Sequence, residues 1–352
     1  MNNGGLLEVG EKIRIARNDS GLSQQELAEK SGVDRSQISK IEKGLVEGVT
    51  FLTLQKICNA LGMSLMPLKG FETDVDMRPF VKWAGGKTQL LEVIKSHLPK
   101  TFGDYYEPFV GGGAVLFKVA PSSFHINDSN PELICVYQCL CDDELFERLL
   151  QELDKHQMQH SEDHYYEVRN MDHNPGFLEL PIYVRAGRMI YLNKACFNGL
   201  YRVNSKGFFN VPSGKKKSVT CYDLKNLAAI HDYFVKTKPV ITLGDFEAAV
   251  EKAKAGDFVY FDPPYDTWEE KDSFTSYSKD VFGKEAQRRL ADTFKRLADK
   301  GVFVMLSNHN TKFISELYAG FCIHIVPAKR MINSKADGRG AVEEVLITNY
   351  EN

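Results

Sequence analysis

The chain has 352 residues, enough for one large domain and a small one, and its 43% apolar and 26% charged content is ordinary for a globular protein. It has no run of about 18 apolar residues, so a membrane span is not expected, and its N-terminus lacks the features of a secretion signal. Seven scattered cysteines argue against a disulfide framework and favour a cytoplasmic location. A net charge of −3 excludes a uniformly basic nucleic-acid binder but leaves a local basic face open.

Residues 8–68 have the pattern of a compact all-helical domain. Ser23 can cap the start of one helix, and Glu26 stands at the spacing of a capping box. The next helix turns Ile38 and Ile41 inward, which leaves its polar residues on the outer face. These outward residues are Arg35, Ser36, Gln37 and Lys40.

This domain resembles the helix-turn-helix of phage-repressor-type regulators in the runs 22–28, 32–33, 38–39 and 42–44. The resemblance implies that the four outward polar residues face the major groove of DNA. A helical bundle for protein contact or dimerisation is the alternative. Acidic residues slightly outnumber basic ones here, which argues against strong independent DNA binding.

Residues 69–78 are polar and of mixed charge, and are predicted to be a linker. From Pro79 onward, short apolar strands alternate with helices, which indicates a largely parallel α/β sheet. The predicted strands are 104–109, 124–127, 258–261 and 302–306, and the predicted helices are 90–97, 114–120 and 285–300. The stretch from about 130 to 238 breaks this rhythm, so we expect a mostly helical insertion between two halves of the sheet.

A strand runs into three glycines and then a helix at residues 105–113. Glycines let the backbone approach a ligand, and the helix start offers free N–H groups. Asp128 ends the next strand, where an acid commonly binds ribose hydroxyls, although a helix N-cap is the alternative. Upstream, Trp83 offers an aromatic face to a cationic sulfonium, with a plain core aromatic as the alternative. Lys87 can meet a ligand carboxylate.

The tetrapeptide Asp262-Pro263-Pro264-Tyr265 follows the apolar strand 258–261. Two prolines end strand pairing and fix the backbone, which holds Asp262 at the sheet edge where α/β proteins bind ligands. The Asp262 carboxylate and the Pro263 carbonyl can accept both N–H bonds of a base's amino group, and Tyr265 can stack on a base flipped from a duplex. Positioning and electrostatics then supply the rate without a metal or a covalent intermediate.

Residues 79–350 resemble the Dam family of DNA adenine-N6 methyltransferases, because four motifs occur in family order at 82–87, 107–113, 262–265 and 306–308. The resemblance implies a Rossmann-like, S-adenosylmethionine-dependent methyltransferase sheet in a domain spanning 79–352, with the insertion at about 130–238 serving as a DNA-recognition domain. It also implies that Asp245 and Phe246 line the adenine of the cofactor. The implied cofactor contacts are Trp83, Ala84, Gly85, Lys87, Glu107, Pro108, Phe109, Gly111, Gly113, Asp128, Asp245, Phe246 and Asp262.

The segment 197–217 is the strongest local indication of DNA binding. Between Arg202 and Lys217 it has five basic residues and no acidic one, with aromatics and glycines between them. This composition favours a hairpin that enters a groove, with a solvated surface loop as the alternative.

The same segment resembles the recognition hairpin of Dam-like enzymes that methylate the adenine of GATC. The resemblance places Phe197 in the space left by the flipped base. Some relatives have Arg or Tyr where this chain has lysines at 215 and 216. Because Lys cannot make the two parallel hydrogen bonds of an Arg guanidinium, this difference bears on how stringently the outer bases are read. The implied contacts to bases or phosphates are Lys82, Phe197, Asn198, Leu200, Arg202, Pro212, Lys215 and Lys216.

Two other polar groups are present in the sequence. A basic loop with Arg330 lies between predicted strands at 321–326 and 345–350, and either binds phosphates or is a hairpin tip. His156, His160 and His164 recur every fourth residue in a polar stretch, and we expect them to lie on a solvated helix face.

The predicted function is the transfer of a methyl group from S-adenosylmethionine to adenine N6, with double-stranded DNA as the partner and no membrane. A transcriptional regulator whose methyltransferase body senses a ligand is an alternative, as is an amino-methyltransferase acting on cytosine N4 or RNA. Asp rather than Ser at position 262 favours adenine. The sequence is compatible with a partner restriction endonuclease, with an orphan enzyme and with a phage-borne one, and it leaves the oligomeric state open.

Overall fold

The computed structural model describes residues 4–45, 49–63, 76–83, 90–267, 282–329 and 341–351. The chain divides into a helical unit, formed by residues 1–84 and 135–238, and a sheet unit, formed by residues 85–134 and 239–352. Four predicted contact residues lie outside the described ranges, namely Ala84, Gly85, Lys87 and Arg330.

The described helices are α1 (Gly4–Asp19), α2 (Gln24–Ser31), α3 (Arg35–Glu42), α4 (Phe51–Ala60), α5 (Leu91–Ser96), α6 (Ala114–Val119), α7 (Pro131–Cys139), α8 (Asp143–Met158), α9 (Glu162–Arg169), α10 (Ile182–Ala195), α11 (Leu224–Thr237), α12 (Phe246–Ala249), α13 (Lys284–Asp299) and α14 (Lys312–Leu317). The described strands are β1 (Tyr105–Glu107), β2 (Phe124–Asp128), β3 (Val240–Leu243), β4 (Phe258–Phe261), β5 (Phe303–His309), β6 (Cys322–Lys329) and β7 (Ala341–Thr348). Within these described elements, no helix has both the length and the apolar character needed to cross a membrane.

The N-terminal helices form as the sequence predicts. Ser23 Oγ accepts from the Glu26 amide at 3.2 Å while the Glu26 carboxylate accepts from the Ser23 amide at 2.7 Å, which completes the predicted capping box. Gly32 ends α2 in the left-handed region at φ +65°, a conformation that costs glycine little. Ile38 and Ile41 are buried, so the polar face of α3 points outward as expected.

The N-terminus of α4 is joined to residues far along the helical unit. The Leu52 amide donates to Asp154 Oδ2 on α8 at 2.6 Å, across 102 residues of sequence. The Phe51 amide donates to the Tyr222 hydroxyl at 2.8 Å, and that hydroxyl donates to Asp154 Oδ1 at 2.6 Å. Since the first amides of a helix have no partner within it, these two side chains satisfy donors that would otherwise be left unpaired. We call this arrangement the α4 joint.

The sheet unit contains one seven-stranded sheet with strand order β3-β2-β1-β4-β5-β7-β6. The first five strands are parallel, and β7 runs antiparallel to both β5 and β6. The largely parallel α/β sheet is therefore confirmed, with the predicted strands present as β1, β2, β4 and β5. Strand β3 was not predicted from the sequence, and the last two strands lie a few residues from their predicted bounds.

The predicted helices of the α/β region are present as α5, α6 and α13, and α7 to α11 fill the stretch between β2 and β3. The core of the sheet unit forms where α13 covers β4 and β5. Leu290, Phe294 and Leu297 recur on one face of α13 and are fully buried against Phe261 and Val304. This packing fixes the carboxyl ends of β4 and β5, where the candidate site begins.

Candidate active site

Asp262 follows β4 directly, at the carboxyl edge of the parallel strands. The register pairs Phe261 with Leu306, so the residues that follow them, Asp262 and Ser307, are neighbours across the two strands. Ser307 Oγ donates to Asp262 Oδ1 at 3.2 Å and lies 2.9 Å from the buried Tyr260 hydroxyl. The carboxylate is thus held at the sheet edge by the Ser307 hydroxyl, which is itself hydrogen bonded to Tyr260.

Tyr265 is held at both its hydroxyl and its ring. The hydroxyl donates to Glu344 Oε2 on β7 at 3.1 Å. The ring meets the His309 ring edge-on, with 4.9 Å between centroids. Burial, followed by the charge of Asp262, raises the pKa of Tyr265 well above its ordinary value, so the phenol stays neutral and can donate.

The glycine turn between β1 and α6 is tied to the end of β2. Gly111 and Gly113 have φ of +49° and +76°, in the left-handed region that favours glycine. The Gly111 amide donates to Asp128 Oδ2 at 3.0 Å. Asn127 Nδ2 adds bonds to the carbonyls of Pro108 and Gly244, both at 3.0 Å, so the turns after β1 and β3 are fastened to β2.

Asp128 does not cap α7. Asn130 Oδ1 accepts from the amides of Glu132 and Leu133 and takes that role, while Asp128 Oδ1 accepts from the Asn130 amide at 2.9 Å. The Asp128 carboxylate thus accepts backbone bonds from Gly111, Asn130 and Ser129, and since a carboxylate has about four lone-pair sites, one remains for a ligand hydroxyl. Burial is the largest influence on this carboxyl and raises its pKa above the ordinary value.

Other predicted cofactor residues lie at the same sheet edge. Glu107 is buried and accepts from the Tyr105 hydroxyl at 2.8 Å. The rings of Phe109 and Phe246 stack with centroids 5.4 Å apart. Asp245 caps α12 and accepts from Arg289 at 3.1 Å, so its carboxylate already has protein partners. The ends of β1, β2, β3 and β4 thus bring together those predicted residues of the sheet unit that the structure describes.

In the helical unit, the segment after α10 forms the predicted hairpin. The Phe197 amide donates to the Pro212 carbonyl at 3.0 Å, and the Asn210 amide donates to the Arg202 carbonyl at 3.0 Å. Phe197 is 54% exposed, unusual for a large apolar side chain, and stands beside Asn198 in a left-handed conformation. The other predicted contacts on this segment that are exposed are Asn198, Arg202, Pro212, Lys215 and Lys216, while Leu200 is half-buried.

Asn193, which the sequence analysis did not single out, joins two predicted DNA-contacting segments. Its Oδ1 accepts from the Lys82 amide at 2.9 Å, and its Nδ2 donates to the carbonyls of Lys82 and Gly199 at 2.8 and 3.0 Å. Next to this clamp, the Trp83 and Tyr201 rings lie 5.4 Å apart. The only sign of this role in the sequence is a polar residue at a buried position of α10. No local pattern could name its partner, because Lys82 lies 111 residues away.

The prediction that three histidines lie on a solvated helix face is wrong. His156 is only 3% exposed and stacks on Tyr191, and burial lowers its pKa to about 3. It falls on the apolar stripe of α8, three residues after Leu153, which the polar neighbours in sequence concealed. His164 lies 3.1 Å from it, and His160 contacts the Tyr191 hydroxyl and the Lys216 carbonyl. Among the described residues, no three His, Cys, Asp or Glu side chains are placed to hold a metal ion.

Comparison with known proteins identifies the family of the chain. The family model of D12 class N6 adenine-specific DNA methyltransferases matches residues 83–332, and a helix-turn-helix family model matches residues 13–68. The type II methyltransferase M1.LlaDCHI of Lactococcus lactis subsp. cremoris is 44% identical over 278 residues, which is 79% of this chain and 97% of that protein. The type II methyltransferase M.MjaIII of Methanocaldococcus jannaschii is 42% identical over 294 residues, 78% of this chain and 100% of that protein.

A more distant relative covers a similar share of the chain. The DNA adenine methylase of Escherichia coli (strain K12) is 33% identical over 276 residues, 76% of this chain and 94% of that protein. The family match at residues 83–332 includes the sheet-edge residues 107–128 and 245–262 and the hairpin at 197–217. The chain therefore belongs to the D12 class N6 adenine-specific DNA methyltransferases, enzymes that generally use S-adenosylmethionine, and it has a helix-turn-helix region at its N-terminus.

Proposed function

We propose that the chain methylates N6 of an adenine that is flipped out of duplex DNA, with Asp262 at the centre of the reaction. The observation that carries the proposal is the Asp262 carboxylate, held by Ser307 at the carboxyl edge of the sheet with Tyr265 three residues on. S-adenosylmethionine supplies the methyl group as a sulfonium. The neutral phenol of Tyr265, anchored on Glu344, offers a ring on which the flipped base stacks.

The amino group of adenine is a poor nucleophile because its lone pair is delocalised into the ring. Asp262 and the Pro263 carbonyl accept its two N–H bonds, which favours a pyramidal nitrogen with its lone pair directed at the methyl. The new N–C bond would form as the S–C bond breaks, the sulfonium would leave as a neutral thioether, and the methylated nitrogen would then lose one proton to water. The protein's contribution is the placement of fixed acceptors where positive charge develops on nitrogen.

The sheet edge fits the cofactor at two points. The Asp128 carboxylate retains a lone pair for a ribose hydroxyl beside its three backbone bonds, and the glycine turn presents backbone close to a ligand. Asp245 and Phe246 are proposed near the cofactor's adenine, where Phe246 is a ring in a buried stack. Contacts from Trp83, Lys87 and their neighbours stay predictions from sequence.

We also propose that the hairpin reads GATC and that Phe197 fills the space of the flipped adenine. Its exposure and the adjacent basic residues support this reading. The proposed domains are a helix-turn-helix at 8–68, a linker at 69–78, and a methyltransferase domain at 79–352 with a target-recognition insertion at about 130–238. The exposed polar face of α3 supplies a second contact to DNA.

The test is methyl incorporation from labelled S-adenosylmethionine into two duplexes that differ only in GATC or GTTC. We expect incorporation in the GATC duplex alone, with the label recovered as N6-methyladenine. Asp262→Ala serves as the matched inactive variant. Equal labelling of both duplexes would refute the GATC assignment, and labelling by Asp262→Ala would refute the proposed role of the carboxylate.

A further inference from the structure

A buried amide interrupts the apolar face of α13. Gln287 is 1% exposed and lies one turn before Leu290 on the stripe that covers the sheet. A buried amide is costly unless its polar atoms are hydrogen bonded. Its Nε2 donates to the Pro264 carbonyl at 2.9 Å, and its Oε1 accepts from Asn308 Nδ2 at 3.1 Å. Both ends of the side chain are therefore used next to the tetrapeptide 262–265.

Asn308 extends this chain of bonds to the other side of Tyr265. It is fully buried on β5, and its Oδ1 accepts from the Asp266 amide at 2.9 Å and from the His309 amide at 2.8 Å. The bonds thus run from the carbonyl of residue 264 to the amide of residue 266. These two peptide groups flank Tyr265 in the chain.

The direction of every bond is determined by its two ends. A carbonyl only accepts, so Gln287 must turn its Nε2 to Pro264 and its Oε1 to Asn308. Asn308 must then donate to Gln287, which leaves its Oδ1 for the Asp266 amide. Since Pro263 and Pro264 have no N–H, this stretch of backbone offers few other groups by which it can be held.

We propose that Gln287 and Asn308 are positioning residues that fix the backbone on both sides of Tyr265 and thereby set the ring on which the target base stacks. This inference rests on the proposed role of Tyr265. A shift of about 1 Å in a group that orients a substrate can cost about a hundredfold in rate. We call the chain of hydrogen bonds from the Pro264 carbonyl through Gln287 and Asn308 to the Asp266 amide the relay. Loss of the relay therefore lowers kcat strongly, while the affinity for S-adenosylmethionine changes little.

Gln287→Glu makes the inference testable by pH. In this variant a protonated carboxyl group donates its hydroxyl to the Pro264 carbonyl and accepts from Asn308, so the relay stays complete. The ionised carboxylate has only acceptors, and it turns a negative oxygen toward the Pro264 carbonyl. Burial raises the pKa of such a carboxyl. We expect the ratio of kcat for Gln287→Glu to wild type to rise at least about tenfold as the pH is lowered from about 8.5 to about 6.

Two variants serve as comparisons. Gln287→Leu removes both bonds and should be impaired about tenfold to a hundredfold at every pH, with no recovery in acid. Thr293→Val alters another buried polar residue of α13 and should match wild type, which separates the relay from helix stability. All variants are assayed as full chains on GATC duplexes.

The position of the base gives a second measurement. In duplexes with 2-aminopurine at the target, a base stacked on Tyr265 is quenched, so Tyr265→Ala should fluoresce more brightly in complex than wild type. We expect Gln287→Leu to be as bright as Tyr265→Ala. A pH-independent ratio for Gln287→Glu, or wild-type fluorescence for Gln287→Leu, would overturn the relay while wild-type methylation stands. Wild-type inactivity on all DNA would instead refute the proposed function, and this inference with it.

Discussion

Removing one oxygen from the α4 joint should destabilise the helical unit more than any single surface change. Tyr222→Phe deletes the hydroxyl that accepts from the Phe51 amide at 2.8 Å and donates to Asp154 at 2.6 Å. Phe51 and Asp154 are each 3% exposed, so water cannot replace the lost partner. One neutral bond contributes about 0.5–1.5 kcal/mol and one to a charged group about 1.5–3 kcal/mol. We therefore expect a loss of about 2–4 kcal/mol in the free energy of unfolding.

The assay is urea unfolding followed by circular dichroism, with amide exchange at Phe51 and Leu52 as a local readout. Tyr166→Phe is the matched control, because the Tyr166 hydroxyl makes no hydrogen bond to any described residue. We expect the control to stay within about 0.5 kcal/mol of wild type. Exchange at the two α4 amides should accelerate only in Tyr222→Phe. Equal unfolding free energies for the two variants would refute the reasoning.

The same joint should make stability depend on pH. Burial raises the pKa of Asp154 above its ordinary 3.8, against the opposing hydrogen bonds from Tyr222 and Leu52. Because the pKa is higher in the folded state, this group's contribution is fully present below the unfolded pKa and is lost as pH rises through the folded pKa. The unfolding free energy of the wild type should therefore fall relative to that of Asp154→Asn as the pH rises above 3.8. A difference that is constant with pH would contradict this assignment.

Three further predictions test the site and the hairpin. Ser307→Ala removes the bond to Asp262 and should lower kcat about tenfold with unchanged KM values, measured by initial rates; an unaltered kcat would remove Ser307 from the site. Asp128→Asn should weaken S-adenosylmethionine binding about tenfold in calorimetry, whereas Asn130→Ala should lower stability by about 1 kcal/mol without that loss; the reverse pattern would make Asp128 structural. Lys215→Ala should reduce the salt dependence of DNA affinity by about 0.9 in log–log slope, and an unchanged slope would exclude a phosphate contact.

Local sequence rules predicted the parts of the fold that depend on neighbours in the chain. Ser23 and Glu26 form a capping box because the two residues satisfy each other's amides across one helical turn. Asp262 lies at the sheet edge because an apolar strand ends at Phe261 and two prolines follow. The edge strand β3 was missed because Val240 and Leu243 are exposed, so its short apolar run has no buried face to mark it.

The residues that hold the site in place depended on tertiary packing and could not be predicted in this way. Ser307 reaches Asp262 only through the register of β4 with β5. Gln287 stands out in the sequence as a polar residue on an apolar stripe, but no local pattern predicts that it bonds the Pro264 carbonyl. Asn193 joins Lys82 to the hairpin across 111 residues, and only the folded helical unit brings them together.

The most direct test of methyl transfer at Asp262 is base-resolution mapping of methylated bases in DNA from cells that express the full chain. Cells expressing the Asp262→Ala variant at equal level provide the control. We expect N6-methyladenine at GATC sites throughout the DNA with the wild-type chain and none added by the variant. Three results with the wild-type chain would contradict the assignment: methylation of cytosine N4, adenine methylation found only at sites other than GATC, or unmodified DNA.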